Sequence, residues 1–357
     1  MTASMLNLLD ILTYAVRNRA SDIHLVPGHV PMLSIDKKWS GAEDFGVVQP
    51  EDSQRMTKEM VGEKRFARLL ELRDLDFSTY VEGLSRFRVN AHFQRDSVAI
   101  AFRAIPNVVP ALESLNLPPV VSSFTDMPRG LVLVTGETGA GKSTTLASMI
   151  DAINHKYGLH IITLEDPVEY ELTPDKCIIE QRELGMDVPD FASGLRHVLR
   201  QDPDIILVGE MRDLETTSAT VTAAETGHLV LATLHTQSAA QTIERIVDIY
   251  PGDQQNQIRV MLANTLQAVV SQMLFKRTDC EGMIPAAEVL VCTSAVRACI
   301  RENRIFEIPN ILQTSARKGM ITLDHSIKSL HLNGYISRED ALANANLREQ
   351  MVEALSA

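Results

Sequence analysis

The residues with the clearest chemical meaning are 136–143, which read Gly-Glu-Thr-Gly-Ala-Gly-Lys-Ser. They match the pattern G-x-x-x-x-G-K-[ST], a loop whose backbone N–H groups surround the phosphates of a nucleotide. In such a loop Lys142 reaches the β- and γ-phosphate oxygens, and the Ser143 hydroxyl holds Mg²⁺. The residues predicted to bind ATP are Gly136, Thr138, Gly139, Gly141, Lys142, Ser143 and Thr144.

The surroundings of this loop favour a nucleotide site over a glycine-rich turn that binds nothing. An unbroken apolar run at 131–134 precedes the loop, as expected for a strand buried on both faces. A helical pattern opens at 144–150, directly after it. The phosphates are therefore expected at the N-terminus of a helix, where unpaired N–H groups attract anions.

Two further apolar runs end in acids. The run 204–208 is followed by Glu210, and the run 159–164 is followed by Glu165 and Asp166. Because ligands of open α/β sheets bind at the carboxyl ends of the strands, these acids are predicted to converge on the loop. One would belong to the Mg²⁺ shell and the other would orient and polarise the attacking water. Capping of the following turn is the alternative for Glu165 or Asp166.

A histidine stands at each end of the predicted strand 228–235. Seven strand residues span roughly 23 Å, so the two side chains cannot both touch one γ-phosphate. His235 lies at the carboxyl end and is the predicted nucleotide sensor, with an ordinary polar role as its alternative. His228 lies at the far end and is predicted to make a structural or inter-subunit contact.

Arginines occur both in the N-terminal strands and around the second acidic strand end. The charge on a transferred phosphoryl group is commonly met by an arginine from a neighbouring subunit. A solvated surface arginine is the alternative for each position, and sequence alone does not choose among them. The candidates are Arg88, Arg103, Arg196, Arg200 and Arg212.

The order of the patterns predicts two domains. An α+β domain over 1–105 is followed by a linker over 106–120, marked by Pro106 and Pro110, and by an α/β domain over 121–357. From 253 onward the chain is predicted to be mainly helical. The predicted strands of the second domain are 131–135, 159–164, 204–208 and 228–235, and its predicted helices are 142–156, 190–201 and 213–226.

Composition narrows the functional class. The net charge of −12 counts against a nucleic-acid motor, which needs a basic footprint. No apolar stretch approaches the length of a membrane span, and the N-terminus has no basic leader, so neither a spanning helix nor a signal peptide is expected. The four cysteines form no C-x-x-C pair and are expected to be unpaired thiols of a reducing cytoplasm.

Taken together, these motifs resemble the secretion-type ATPases of type IV pili, and among them the retraction motors. The resemblance covers nearly the whole chain, and four nucleotide-site boxes occur in the family's order. Residues 136–145 resemble its Walker A loop, 161–169 its Asp box, 204–213 its Walker B motif and 226–236 its His box, while 19–25, 86–90 and 102–106 resemble its N-terminal domain.

The resemblance implies a PAS-like α+β domain followed by a RecA-like P-loop ATPase domain with a helical C-terminal region. It implies a hexamer that hydrolyses Mg-ATP to retract pili and drive twitching motility. Glu165 would be the water-activating base, Glu210 the Walker B acid and metal ligand with Ser143, and Arg88 and Arg103 the arginine fingers. The implied location is cytoplasmic, at the inner membrane beneath the pilus. The implied partners are the platform protein and a paralogous retraction ATPase.

Two alternatives are weighed against this function. A pilus or type II secretion assembly ATPase of the same family is disfavoured by the chain length and by the lack of a paired-cysteine zinc motif. An accessory subunit, a different functional class that binds nucleotide but turns over poorly, is disfavoured by the intact Lys142, Ser143, Glu165 and Glu210. The chain also departs from the family at Glu137, in the loop, and at Ala298 and Cys299, in a helix tied to retraction.

Overall fold

The structure, a computed structural model, describes most of the chain, namely residues 6–35, 38–105 and 108–355. The chain forms two compact units. The first consists of the described residues up to Val108 with Pro167–Glu171, and the second of Val109–Asp166 and the described residues from Leu172 onward.

The first unit is an α+β unit built on one antiparallel sheet. Its six strands lie in the order β3-β2-β1-β6-β5-β4, and two helices contribute side chains to the same core. The elements are α1 (Leu8–Arg17), β1 (Asp22–Leu25), β2 (Met32–Ile35), β3 (Lys38–Gly41), α2 (Pro50–Leu72), β4 (Asp74–Val81), β5 (Ser85–Gln94) and β6 (Ser97–Ile105).

Strand β5 shows why this segment forms a half-buried strand, as its sequence alternation predicts. Phe87 and Val89 are fully buried, whereas Arg88 between them is exposed. Successive strand residues point to opposite faces, so one face of β5 builds the core and the other faces water. The Phe87 ring packs edge-on against Phe102 of β6, with ring centroids 6.1 Å apart.

The second unit is an α/β unit around a seven-stranded sheet of order β13-β12-β7-β11-β10-β8-β9, in which only β13 runs antiparallel to its neighbour. Its strands are β7 (Gly130–Thr135), β8 (His160–Glu165), β9 (Ile178–Glu183), β10 (Ile205–Val208), β11 (Leu229–Leu234), β12 (Leu266–Lys276) and β13 (Met283–Val291). Its helices are α3 (Val120–Ser123), α4 (Lys142–Lys156), α5 (Phe191–Val198), α6 (Leu214–Glu225), α7 (Ala239–Asp248), α8 (Gln255–Thr265), α9 (Ser294–Arg301), α10 (Ile308–Thr314), α11 (Leu323–Leu332), α12 (Arg338–Ala343) and α13 (Arg348–Ala354).

Both faces of this sheet are covered. Leu131 and Leu133 of β7 belong to one core, and the alternate residues Val132 and Val134 belong to another. Because neither face meets water, the central strands carry unbroken apolar runs. The predicted fold class is therefore confirmed, and α4 spans the predicted 142–156.

The prediction that the chain beyond 253 is mainly helical is confirmed, but two strands that the sequence analysis did not predict also lie there. Strands β12 and β13 extend the sheet beyond β7. Helix α8 ends at Thr265 and β12 begins at Leu266, so no loop separates the helix from the strand. A strand buried on both faces has no alternation, and periodicity cannot separate it from a buried helix.

From Val109 onward the predicted linker belongs to the second unit. Leu112 of the linker, in a 3₁₀ turn, is buried in the core of that unit, as is Val121 directly after the linker. Pro106 and Asn107 lie outside the described residues.

Two predictions from composition can be compared with the fold. The predicted unpaired state of the cysteines is confirmed, since Cys177, Cys280, Cys292 and Cys299 are all free. Among the helices of the described ranges, none is long and apolar enough to cross a membrane.

Candidate functional site

The glycine-rich loop connects β7 to α4 at the carboxyl edge of the parallel strands. Gly139 and Gly141 have φ of +83° and +86°, a left-handed conformation that favours glycine. The carbonyl of Gly141 accepts the first helical hydrogen bond, from Thr145 N at 3.0 Å. Helix α4 thus begins at Lys142, and the N–H groups of its first turn lie at the loop, where an anion can bind.

The side chain of Gln272, on β12, holds this loop in place through two hydrogen bonds. Its Nε2 donates to the carbonyl of Ala140 at 2.6 Å, and its Oε1 accepts from the Thr145 hydroxyl at 3.0 Å. A Cβ on Gly136 would lie 2.3 Å from the Gln272 carbonyl oxygen, so only glycine fits there. Sequence reasoning missed Gln272, because the segment that carries it was predicted to be helical.

The Lys142 ammonium lies at the mouth of the loop. It donates to the carbonyls of Gly136 and Glu137 at 2.8 and 3.0 Å, and it lies 3.5 Å from Nδ1 of His235. Ser143 and Thr144 occupy partly exposed positions in the first turn of α4, and Thr138 is exposed in the loop. The predicted phosphate-binding residues are therefore continuous along the loop and the helix start.

Glu210 lies just beyond β10 and contacts both His235 and Arg212. His235 Nε2 is 3.1 Å from its Oε1, and the guanidinium of Arg212 is 2.7 Å from its Oε2. Burial raises the pKa of this carboxyl. The hydrogen bond from Arg212 and the interaction with His235 lower the pKa by more than burial raises it, so the net pKa lies below its usual value. Glu210 is therefore a carboxylate at neutral pH.

Glu165 ends β8, the strand next to β10. The Thr163 hydroxyl donates to its Oε1 at 2.6 Å, and Gln181 Nε2 donates to the same oxygen at 3.2 Å. These two bonds orient a partly exposed carboxylate at the sheet edge that also carries Glu210. Gln181 lies on β9, a strand that the sequence analysis did not predict.

The structure separates the two histidines as their spacing predicts. His235 follows β11 and joins the loop to Glu210. His228 precedes β11, and its Nδ1 lies 3.0 Å from the carbonyl of Ala223 and 3.2 Å from the hydroxyl of Thr226. The contacts of His228 are therefore local and structural.

Glu137 bridges the loop to the segment after β11. Its Oε1 accepts from Nε2 of Gln237 at 2.7 Å, while the residue remains exposed. The Glu137 carboxylate thus lies near the phosphate site, and its hydrogen bond to Gln237 holds it against the segment 235–238.

The candidate arginines fall into two groups. Arg88 and Arg103 are directly opposed on β5 and β6, both are exposed, and Arg103 Nε donates to Asp22 at 2.8 Å. They belong to the first unit, whereas the loop belongs to the second. Of the second group, Arg212 contacts Glu210 and Arg196 lies 3.8 Å from Glu215. Arg200 is exposed.

The donors at this edge suit a hard cation. Ser143 and Glu210 supply hydroxyl and carboxylate oxygens, the ligand type that Mg²⁺ prefers together with phosphate oxygens. Within the described residues, no three His, Cys, Asp or Glu side chains form a cluster that could hold a metal. This arrangement fits Mg²⁺ bound chiefly through a nucleotide.

Known proteins share this architecture. The type II/IV secretion system protein family matches residues 116–321. The chain is 42% identical to the type IV pilus retraction ATPase PilT of Pseudomonas aeruginosa, over 96% of this chain and 99% of that protein. The chain belongs to the type II/IV secretion family. It is an ATPase of the PilT type within that family.

Two further comparisons agree. The chain is 48% identical to the twitching motility protein of Neisseria gonorrhoeae, over 78% of this chain and 74% of that protein. The crystal structure of the pilus retraction motor PilT with bound ADP superposes with a TM-score of 0.91 at 43% identity, covering 98% of this chain and 99% of that one.

The packing of Gly136 on Gln272 predicts that this glycine cannot be replaced. Gly136→Ala should lower ATPase activity at least about tenfold, because the new Cβ displaces the loop from β12. Gly139→Ala is the matched control, since its φ is also left-handed but no atom lies within 4 Å of its Cβ. Steady-state kinetics on both variants test this. Equal losses of ATPase activity would show that backbone strain, and not the contact with Gln272, causes the loss.

The Glu137–Gln237 contact predicts a tunable nucleotide affinity. Glu137→Gln should tighten ATP binding about two- to fivefold, because it removes a negative charge near an anionic ligand while keeping an acceptor for Gln237. Calorimetric titration at low and high salt measures this, and the gain should shrink as salt rises. Weaker binding by Glu137→Gln would mean that the charge itself holds the loop in its binding conformation.

Proposed function

We propose that this protein is a hexameric motor that hydrolyses Mg-ATP to power retraction of type IV pili. The observation that carries the proposal is the contact series from Lys142 through His235 to Glu210, at the mouth of a phosphate-binding loop. Near full-length similarity to PilT supports the choice of retraction over pilus assembly.

The chemistry can be assigned residue by residue. The loop N–H groups and Lys142 bind the phosphates, while Ser143 and Glu210 hold the metal. Mg²⁺, when bound, neutralises charge on the β- and γ-phosphate oxygens. Glu165, oriented by Thr163 and Gln181, accepts a proton from the attacking water.

His235 is suited to sense the γ-phosphate because it lies between two charged groups. Its Nε2 contacts the Glu210 carboxylate, and its Nδ1 lies near the Lys142 ammonium. A γ-phosphate at the loop would compete for both Lys142 and His235. Loss of that phosphate would return both side chains to their present contacts, which is a local switch between two arrangements.

The active site is proposed to be completed by a neighbouring subunit. Arg88 and Arg103 form an exposed cationic pair on the first unit, and in a ring such a pair can reach the nucleotide of the next protomer. Closing the interface would then couple hydrolysis to domain rotation.

The proposed location is the cytoplasmic face of the inner membrane, with the pilus platform protein and a paralogous retraction ATPase as partners. A complementation assay in a strain lacking its retraction ATPase tests this role, and failure to restore twitching despite ATPase activity would contradict it.

The two acids should respond differently to amide substitution. Glu165→Gln should bind ATP normally but lower kcat about 100-fold or more, because only the base is lost. Glu210→Gln should in addition raise the Mg²⁺ concentration needed for half-maximal activity. Nucleotide binding and magnesium titrations of both variants test the assignment, with Lys142→Ala as an inactive reference. A raised Mg²⁺ requirement in Glu165→Gln alone would mean that the roles are exchanged.

Sharing of the site between subunits predicts rescue by mixing. Arg88→Ala and Lys142→Ala proteins should each be nearly inactive, because one lacks the arginine and the other the loop lysine. Mixed rings contain some interfaces with both residues intact and should regain activity. Turnover is measured after subunit exchange has been verified by labelled subunits. Exchanged rings that stay inactive would refute action in trans.

A further inference from the structure

Glu288 is a buried acid that none of the assigned roles uses. It lies on β13, where it is 7% exposed. A carboxylate removed from water is unfavourable unless it is hydrogen-bonded, so its partners indicate what it holds in place.

The partners of Glu288 are the starts of two helices. Its Oε1 accepts from the N–H of Ala239, the first residue of α7, at 2.8 Å. Burial raises the pKa of this carboxyl, and the backbone N–H groups of Ala239 and of Leu323, the first residue of α11, oppose that rise. Helix N-termini carry partial positive charge, so the carboxylate holds α7 at its positive end.

Helix α7 continues directly from the catalytic segment. His235 lies four residues before Ala239, and Gln237 between them is hydrogen-bonded to Glu137 of the loop. The Thr236 and Thr242 hydroxyls lie 2.7 Å apart and tie this segment to the first turn of α7. The start of α7 is therefore tied to the segment that carries His235.

A row of buried polar residues on β13, β12 and β7 also connects Glu288 to the phosphate-binding loop. Glu288 is the cross-strand partner of Ser271, and Ser271 is the cross-strand partner of Thr135. Such partners share one face of the sheet, and the Thr135 hydroxyl donates to Ser271 at 2.8 Å. Thr135 immediately precedes Gly136. The carboxylate thus lies on strands that also fix the start of the phosphate-binding loop.

We infer that Glu288 is a positioning residue for ATP hydrolysis, which holds the start of α7 so that His235 stays aligned with Glu210 and Lys142. Leu323 lines the same pocket as Gly136–Ala140 and Gln237, which places the start of α11 beside the loop. The inference rests on the proposed role of His235.

The test compares two substitutions at Glu288 with a matched control. Glu288→Ala removes the acceptor for the Ala239 N–H and should lower kcat about tenfold while KM for ATP changes less than about threefold. Glu288→Gln keeps one acceptor oxygen and should fall between Glu288→Ala and the unmodified protein; it also serves if Glu288→Ala does not fold. The control is Asp204→Ala, since the Asp204 carboxylate also accepts from a backbone N–H, that of His160, but at the amino ends of β8 and β10. It should lower the unfolding temperature while leaving kcat within about twofold.

A double-mutant cycle separates positioning from general destabilisation. If Glu288 acts through His235, its substitution should slow the His235→Ala protein little or not at all, although it slows the unmodified protein. The same fold-loss in both backgrounds would overturn the inference. So would an effect confined to the unfolding temperature, as in the Asp204 control. Full activity of His235→Ala would refute the proposed role of His235 together with this inference. If the His235→Ala protein is impaired while the Glu288 variants are fully active, this inference alone is overturned.

Discussion

The parallel pairing of β7, β11, β10 and β8 is the constraint on which the site depends. Parallel strands end at one edge, so the loop after β7 and the residues after the other three strands meet there regardless of their separation in sequence. The pairing itself requires helices over both faces of the sheet, and their burial produces the two cores on either side of β7. The chemistry thus depends on apolar packing over both faces of the sheet.

Lys142, His235, Glu210 and Arg212 form a contact series along this edge, in which the Glu210 carboxylate lies between His235 and the guanidinium of Arg212. The partners of Glu210 outweigh its burial and keep its pKa low, so it stays ionised through the neutral range. Such a series is sensitive to a further anion, because any phosphate that attracts Lys142 or His235 weakens their present contacts. Burial alone would have raised the pKa of Glu210.

The sequence predicts the parts of this protein that follow from local pattern. The loop motif, the start of α4 at Lys142 and the meeting of Glu165, Glu210 and His235 at one sheet edge all follow from strand runs and motif spacing. Gln272 could not be found in this way, because β12 has no alternation and continues directly from α8. Glu288 was equally hidden, since a lone acid in the apolar run of β13 does not reveal which backbone donors it meets. Such contacts depend on tertiary packing, which periodicity does not encode.

The pairing of Arg88 with Arg103 has a cost for the first unit. Like charges at directly opposed positions of antiparallel strands repel each other, and the bond from Arg103 to Asp22 offsets only part of that repulsion. This pair is a site of local frustration in an otherwise consistent sheet. The buried edge-on packing of Phe87 and Phe102 on the same two strands supplies the stability that tolerates it. An anion bound between the two guanidinium groups would relieve this repulsion, so binding there would stabilise the sheet that carries them.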